Sequence, residues 1–431
     1  MIMEHALSRV VIVGAGFGGL WATRSLADTG LSVRLLDRNN YHTFLPLLYQ
    51  VAAAELEPGL IARSVRSLVR GQANVCFVMD EVVRIDVDAK VVHAVTQAHP
   101  YDYLILALGS INHYFDTPGA EAHCFTLKSL EEGVTLRNHI LRCVERAAQL
   151  GPNENAARRR LLTFVIIGGG PTGVEYAGAL IELLRHPLAR DYPELDLRKH
   201  ARVILLEAAD ELLRGVGRGE YVRQRLQVMG VDVRLNSIVA AIKTETVTLA
   251  DGESIATASP VWTAGVRGAA LADNLPWPRG SGGRIPVRPT LQTLDDDTVF
   301  VIGDLAYLEQ DGRALPGVAQ VAMQQGEHAA ANVVRMLSKE SLQPFRYRDK
   351  GAMATVGRNA AVARLGGRIY TGFPAWLVWL AVHIFFLIGF RNRLGVLLNW
   401  AWNYLFYERA VRLILPNNDT RPPLEDRAHK R

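Results

Sequence analysis

Two stretches of this chain end an apolar run with the same glycine spacing. Arg9–Leu20 reads RVVIVGAGFGGL and Leu162–Val174 reads LTFVIIGGGPTGV, which places Gly14, Gly16 and Gly19 in one motif and Gly168, Gly170 and Gly173 in the other. Each Gly-x-Gly-x-x-Gly lies between a buried-strand pattern and a small-residue helical pattern, the setting of a Rossmann βαβ unit. The first glycine permits the tight turn, the second lets the backbone approach a pyrophosphate, and the third lets the helix pack close to the strand. The helix N-terminus then faces the phosphates with free N–H groups and a partial positive charge. One such motif is a weak signal. Two in one chain predict two dinucleotides held together, with electrons moving between them.

Each unit also needs an acid at the end of its second strand, about 20 residues on, to bond a ribose 2′-OH. Ser32–Asp37 (SVRLLD) supplies Asp37. In the second unit the strand Ala201–Glu207 (ARVILLE) ends in Glu207, which comes late. The intervening Arg185–His200, with two prolines and many charges, reads as a surface insertion after the helix. A carboxylate at Glu207 favours NADH, because it would repel the 2′-phosphate of NADPH. Arg214 lies too far downstream to reverse that preference.

The 431 residues are 49% hydrophobic and 21% charged, enough for two or three domains with their own cores. The net charge of +5 is a modest basic excess, and no basic run is interleaved with aromatics in the first 370 residues, so nucleic acid is not an expected partner. Cys76, Cys124 and Cys143 form no C-x-x-C pair and no metal-ligand spacing with histidine. Unpaired thiols in a reducing compartment and no metal are therefore expected. The first strand begins within ten residues of the start, which leaves no room for a signal or transit peptide.

The expected fold is α/β: a first Rossmann-type domain over residues 1–118 and 266–345, a second one inserted over 119–265, and a C-terminal helical region over 346–431. Val75–Val92 alternates as a strand pair crossing over the sheet would. Tyr103–Ser110 (YLILALGS) and Thr298–Asp304 (TVFVIGD) read as further buried strands, and Leu315–Leu337 as a helix beginning after Pro316 and Gly317.

The tail differs in kind. Phe373–Phe390 (FPAWLVWLAVHIFFLIGF) is apolar all round except for His383, which reads as a packing or membrane-face histidine. As a helix it would be about 27 Å long, short of the ~30 Å of bilayer hydrocarbon. Arg364 and Arg368 before it and Arg391 and Arg393 after it give no inside–outside asymmetry, which argues against a single span. In the next segment Leu394, Leu397, Leu398, Ala401, Trp402 and Leu405 share one helical face, and Asn392, Asn399 and Asn403 another. Trp400, Tyr404 and Tyr407, with Arg409 and Arg412, resemble the aromatic and basic dressing of an interface-lying helix. Membrane-surface binding is the favoured reading. A hairpin packed on the body or in a dimer is the second, and a true span the third.

On these residues the chain resembles the type II (alternative, non-proton-pumping) NADH:quinone oxidoreductases, membrane-associated flavoproteins, over nearly its whole length. Phe44–Ala52 (FLPLLYQVA) is similar to the family segment lining the isoalloxazine. Val301–Asp304 (VIGD) is similar to the second flavin motif, Ala319–Gln325 (AQVAMQQ) to the quinone-site helix, and LIGFRNR…LLNWAWNYL to the membrane-anchoring region. The resemblance implies FAD contacts at Gly14, Gly16, Phe17, Gly18, Gly19, Asp37, Arg38, Val82, Gly109, Asp304, Ala319, Gln320 and Lys350. It implies NADH contacts at Gly168, Gly170, Pro171, Thr172, Gly173 and Glu207, and quinone contacts at Gln320, Gln324, Pro46 and Gln50. Gln320 and Gln324, four apart, share a helix face and could bond quinone carbonyls without being charged. That helix N-terminus would point its positive end at the flavin. Glu175, just after the second glycine motif, is either a proton-handling acid whose pKa burial raises or a first-turn acid favoured by the helix dipole. Lys350 is either a lysine near the flavin or a solvated loop residue.

The implied activity is hydride transfer from NADH to FAD and then two electrons to a quinone, ubiquinone or menaquinone. It would run without proton pumping, on the cytoplasmic face of the cell inner membrane, with lipid as a partner and a homodimer as a further option. Thiol–disulfide reductases need a redox cysteine pair, and sulfide:quinone oxidoreductases need late cysteines; this chain has neither. A ferredoxin-type reductase of a soluble carrier leaves the apolar tail unexplained. An NADH-dependent flavin redox sensor or scaffold is the alternative from outside the enzymes.

Overall fold

In the first of two structural units the apolar runs become a five-stranded parallel sheet. Its order is Val299–Val301, Tyr103–Leu106, Arg9–Val13, Ser32–Asp37, Val75–Met79. Val10, Val11 and Ile12 are at most 1% exposed, because a parallel sheet has to be covered on both faces. The structure, a computed structural model, describes residues 7–406, 408–409 and 411–416. Tyr407 lies outside the described residues. The first unit comprises the chain up to residue 43 with 63–111 and 266–350; the second comprises 44–62, 112–265 and the chain from 351 on.

Small residues bring two helices of the first unit together. On Ala319–Leu337, a Cβ added at Gly326 would lie 2.3 Å from the Gly18 carbonyl oxygen on Phe17–Ser25. The region 75–92 does not form one crossing pair. Val75–Met79 is the edge of the main sheet, whereas Val82–Asp86 and Val91–Ala94 join Ala98–Pro100 in a separate antiparallel sheet. Asp80 makes the corner: its carboxylate accepts from the Glu81 N–H at 2.9 Å, the Thr96 N–H at 3.1 Å and the Thr96 hydroxyl at 2.5 Å.

The second unit repeats the pattern with a parallel sheet ordered Phe125–Thr126, Ser259–Trp262, Thr163–Ile167, Arg202–Leu206, Val231–Arg234. The helix Pro171–Arg185 follows the second glycine motif. The proline-rich insertion after it is helical: Pro187–Asp191, a 3-10 turn Pro193–Leu195, and Leu197–His200, with Leu188, Leu195 and Leu197 buried. Residues 44–62 fold with this unit as a 3-10 turn Leu45–Leu47 and short helices Leu48–Ala52 and Pro58–Ile61. An antiparallel sheet of Ala352–Thr355, Ala361–Leu365 and Arg368–Thr371 leads into the tail.

The apolar tail stretch is two helices, Gly372–Phe386 and Phe390–Phe406, with Gly389 at φ +96° between them. The first has 15 residues, about 22 Å of rise. Among the described residues no helix is long and apolar enough to cross a membrane. The first helix turns Ala375, Trp379 and His383 inward, at four-residue spacing. His383 is a packing residue: it stacks on Trp379 at 3.9 Å between ring centroids, and burial pushes its pKa down to about 4, so it is neutral. The second helix buries Asn392, whose side-chain amide donates to the carbonyls of Gly59, Leu60 and Ala62. Its leucines point the other way: Leu398 is 62% and Leu405 70% exposed, with Leu394, Leu397 and Trp402 beside them. A surface helix in water hides its apolar side; this one hides its amides.

The two arginines that read as basic dressing of this helix do not dress its surface. Arg409 is buried and ion-paired with Glu55 at 2.5 Å and Glu182 at 3.2 Å, and it donates to the carbonyls of Ala53 and Ala179. Arg412 pairs with Asp191 at 2.7 Å. A guanidinium can satisfy five donors at once, and here the protein supplies the acceptors.

Candidate functional site

In the first unit the three glycines of the N-terminal motif have three distinct environments. Gly14 has φ +104°, and a Cβ there would meet the Ala107 carbonyl oxygen at 2.4 Å. Gly19 is pressed on the loop itself, 1.8 Å from a Cβ to the Gly14 oxygen. Gly16 has nothing within 4 Å, so the backbone there is open to a ligand. Gly16 is also the N-cap of Phe17–Ser25, with no side-chain cap and no acid in the first turn, so the helix leaves its first N–H groups to an anion.

Asp37 closes this cradle. One carboxylate oxygen accepts the Ala15 N–H at 2.7 Å and the other the Asn39 N–H at 2.8 Å. Burial raises its pKa, opposed by those two N–H groups and by the exposed Arg38. His42, which had no sequence signal, donates from Nδ1 to the Ala15 carbonyl at 2.9 Å and braces the same loop. Across the sheet ends, Ser110 donates to Asp304 at 2.6 Å and Gly109 adopts φ +70°. Gln325, missed in the sequence because its neighbour Gln324 drew attention, accepts the Gly303 N–H at 2.7 Å and fixes the turn that presents Asp304. Ala319 and Gln320 begin the helix whose Ala322 packs beside this turn. An open second glycine, uncapped helix N–H groups and a strand-end acid fit an adenine dinucleotide. Val82 opens its strand half-buried, and Lys350 is exposed at the end of the unit.

The second unit repeats the cradle almost atom for atom. Gly168 has φ +114°, a Cβ on Gly173 would lie 1.9 Å from the Gly168 oxygen, and Gly170 is open. The late acid Glu207 does what Asp37 does: Oε2 accepts the Gly169 N–H at 2.6 Å and Oε1 the Ala209 N–H at 2.8 Å. Pro171 and Thr172 are exposed on the first turn of an uncapped helix. Arg214 is tied to Asp210 and Glu211.

Glu175 points away from the cradle into a cavity of about 660 Å³ within the second unit. Its walls are Leu48–Ala52, Pro171–Arg185, the Thr355 strand and both tail helices. A hydrogen-bonded line crosses it. The Trp400 indole donates to Gln50 Oε1 at 2.8 Å, Gln50 Nε2 to the Tyr49 hydroxyl at 3.0 Å, and that hydroxyl meets Thr355 Oγ1 at 2.9 Å. The Thr355 N–H then donates to Glu175 Oε1 at 3.2 Å. Burial pushes Glu175 up to about 8. The Thr355 N–H opposes this, as does the nearby Trp379 indole N–H. At neutral pH the group is mostly a neutral acid able to give a proton. Trp376, Leu377, Leu380 and Leu397 make the remaining lining largely apolar.

Of the residues assigned to quinone, Gln50 lines this cavity, Pro46 sits half-buried in the preceding 3-10 turn, and Gln320 and Gln324 belong to the first unit. Gln324 has both ends of its amide engaged, donating to the Arg348 carbonyl at 3.1 Å and accepting its N–H at 3.0 Å. The sequence offered no signal for Tyr49, Thr355, Trp379 or Glu55, which acquire their roles only through pairings hundreds of positions apart.

Residues 8–326 match the pyridine nucleotide-disulphide oxidoreductase family, and residues 350–408 match the NDH2 C-terminal domain. Cys76, Cys124 and Cys143 form no disulphide with one another. The type II NADH:quinone oxidoreductase Ndh of Mycobacterium tuberculosis is 38% identical over 419 residues, 93% of this chain and 89% of that one. NdhA of the same organism is 37% identical, over 93% and 88%. The solved structure of NDH2 from Plasmodium falciparum in complex with NADH superposes with a TM-score of 0.87 at 17% identity, covering 95% of this chain and 100% of the other, a likeness of fold. Paired nucleotide cradles, a buried acid in an apolar cavity and a relative alike along almost its full length lead to one family: the chain belongs to the type II NADH:quinone oxidoreductases.

Proposed function

We propose that this chain oxidises NADH at the second cradle and reduces a membrane quinone that reaches the protein through its tail helices. The reaction is NADH + quinone + H⁺ → NAD⁺ + quinol. FAD, held through Gly14, Gly16, Asp37 and Asp304 with Arg38, Val82, Gly109, Ala319 and Lys350 around it, supplies the carrier that accepts a hydride and passes on an electron pair. Glu207 and the open Gly170 hold NADH and disfavour an extra 2′-phosphate. One observation carries the quinone assignment: Glu175, a neutral acid, stands in an apolar cavity walled by two helices, the second of which leaves Leu394, Leu398 and Trp402 on the outer surface. Gln50 and Tyr49 offer a quinone oxygen hydrogen-bonding partners, and Glu175 gives it a proton. In the first unit Gln320 and Gln324 are the amides assigned to a quinone carbonyl. Gln324 has both ends of its amide engaged with Arg348.

The test is anaerobic stopped-flow on the full chain with FAD. NADH should bleach the flavin absorbance, and a short-chain quinone should restore it within each turnover. Bleaching by NADH without recovery on adding quinone favours the sensor reading and overturns this one.

The tail helices lie in the membrane interface, apolar face down, on the cytoplasmic leaflet where NADH is available. Fully burying each leucine contributes about 1.5–3 kcal/mol. Leu398→Asp with Leu405→Asp should therefore lower the fraction floating with anionic lipid vesicles by roughly a hundredfold in partition coefficient. Flotation equal to the parent chain would mean that another surface meets the lipid.

A further inference from the structure

We propose that Glu55 is the group through which the cavity takes up its proton: outside water protonates it, and Tyr49 passes the proton inward to Glu175. This rests on the cavity being the quinone site. Each turnover consumes one proton from solvent, and Glu175 is only 8% exposed. Glu55 lines the same cavity and keeps its side chain 17% exposed. Arg409 holds it at 2.5 Å and holds Glu182 at 3.2 Å, so two carboxylates face one buried guanidinium. Three full charges would leave the cluster at −1 in a poorly solvated place, and one added proton neutralises it.

Two charged neighbours bear on Glu55, and His186 and Arg358 share its cavity. Burial raises it to about 7, Arg409 pulls it down and Glu182 pushes it up. His186, on the same wall, has its pKa lowered by burial. Arg358 is directed to Tyr404, its guanidinium 4.1 Å over that ring. Tyr49 feels the charge of both Glu175 and Glu55, and its hydroxyl already bonds Thr355 Oγ1, next to Glu175. The gap between Glu55 and Tyr49 is cavity space, which water can bridge. Burial raises both Glu55 and Glu175 into the neutral range, so either can hold the proton. The cycle balances. The hydride of NADH supplies the electron pair and one of the two quinol protons, Glu175 gives the other H⁺ to a quinone oxygen, the Glu175 carboxylate takes H⁺ from Glu55 through Tyr49, and the Glu55 carboxylate takes H⁺ from solvent.

The test is quinone-driven flavin reoxidation by stopped-flow from pH 6 to 9 in the FAD-loaded full chain. Glu55→Gln should slow it roughly tenfold above pH 7, enlarge the solvent deuterium effect, and recover on adding formate or imidazole as a mobile proton donor. Glu55→Asp, which keeps the acid, should need no such rescue. Glu55→Gln running at the parent rate across the range overturns the proposal. So does a loss that no small acid rescues while the melting temperature falls, since Glu55 then only anchors Arg409. If Glu55→Gln does not fold, a Glu55→Asp rate that depends on added formate overturns it equally, and a rate independent of formate with a shifted pH limb supports it. Glu175→Gln separates the two levels: if it slows reoxidation and Glu55→Gln does not, only the intake route falls. If neither does, the cavity is not the quinone site.

Discussion

Glu175→Gln should make the protein melt higher than the parent at pH 8.5 and at the same temperature at pH 4. Below about pH 4.5 both folded and unfolded chains hold the proton on Glu175, so the residue is neutral in the balance. Between 4.5 and about 8 the unfolded chain releases the proton and the folded one keeps it, so stability falls as pH rises. Above 8 the folded chain bears the whole cost of a buried carboxylate. At 1.36 kcal/mol per unit the ceiling is roughly 5 kcal/mol, of which local relaxation leaves a few. Glutamine removes the ionisation and keeps the shape. The same variant should slow quinone-driven reoxidation by about 10²-fold, the usual worth of a placed acid, while bleaching by NADH proceeds. Equal melting temperatures at pH 8.5 would mean that Glu175 is ionised in the folded protein and is no proton donor at neutral pH.

The glycine triplets allow a sharper experiment, because their members should fail in different ways. Gly19→Ala and Gly173→Ala should unfold their units, since the new Cβ would sit 1.8 and 1.9 Å from a backbone oxygen that cannot move without opening the strand–helix turn. Such overpacking costs ~3 kcal/mol or more. Gly16→Ala and Gly170→Ala meet no atom within 4 Å and need no unusual φ, so both should fold with near-parental melting. Their defect should be in ligand. Gly16→Ala should be purified with little flavin, and Gly170→Ala should keep its flavin but require at least roughly tenfold more NADH for half-maximal bleaching, because the methyl stands where the pyrophosphate approaches. Flavin content, thermal melting and NADH titration separate the outcomes. A Gly170→Ala protein with parental NADH affinity would remove the pyrophosphate from that loop.

What the sequence disclosed and what it hid follow the same division. The cradles were legible because a tight turn, an uncapped helix start and a strand-end acid are local: Gly14 to Asp37 spans one βαβ unit, and even a delayed Glu207 is recognisable at the end of its strand. The cavity was legible only in part. Gln50 and Glu175 stood out through resemblance, but the bonds that give them meaning join Trp400 to Gln50 and Thr355 to Glu175, and nothing in either segment announces its partner. Arg409 shows the limit most clearly. Beside aromatic residues at the end of an amphipathic helix it reads as a charge for lipid headgroups, yet two acids from distant segments and two backbone carbonyls draw it inside. The region 75–92 misled for the opposite reason: its alternation is real, but the Asp80 corner divides it between two sheets.

The strand-end acids carry a consequence for redesign. As the proposed ribose acid, Glu207 would set coenzyme preference with the same oxygens that tie down Gly169 and Ala209. Exchanging it for a small or basic residue to admit a phosphorylated coenzyme would release the phosphate-binding loop at the moment it changes the ribose pocket. Selectivity and scaffold are therefore one mutable trait in this protein. Any lineage that changes coenzyme must first find a second anchor for the Gly169 N–H, so the order in which such substitutions accumulate is constrained from the outset.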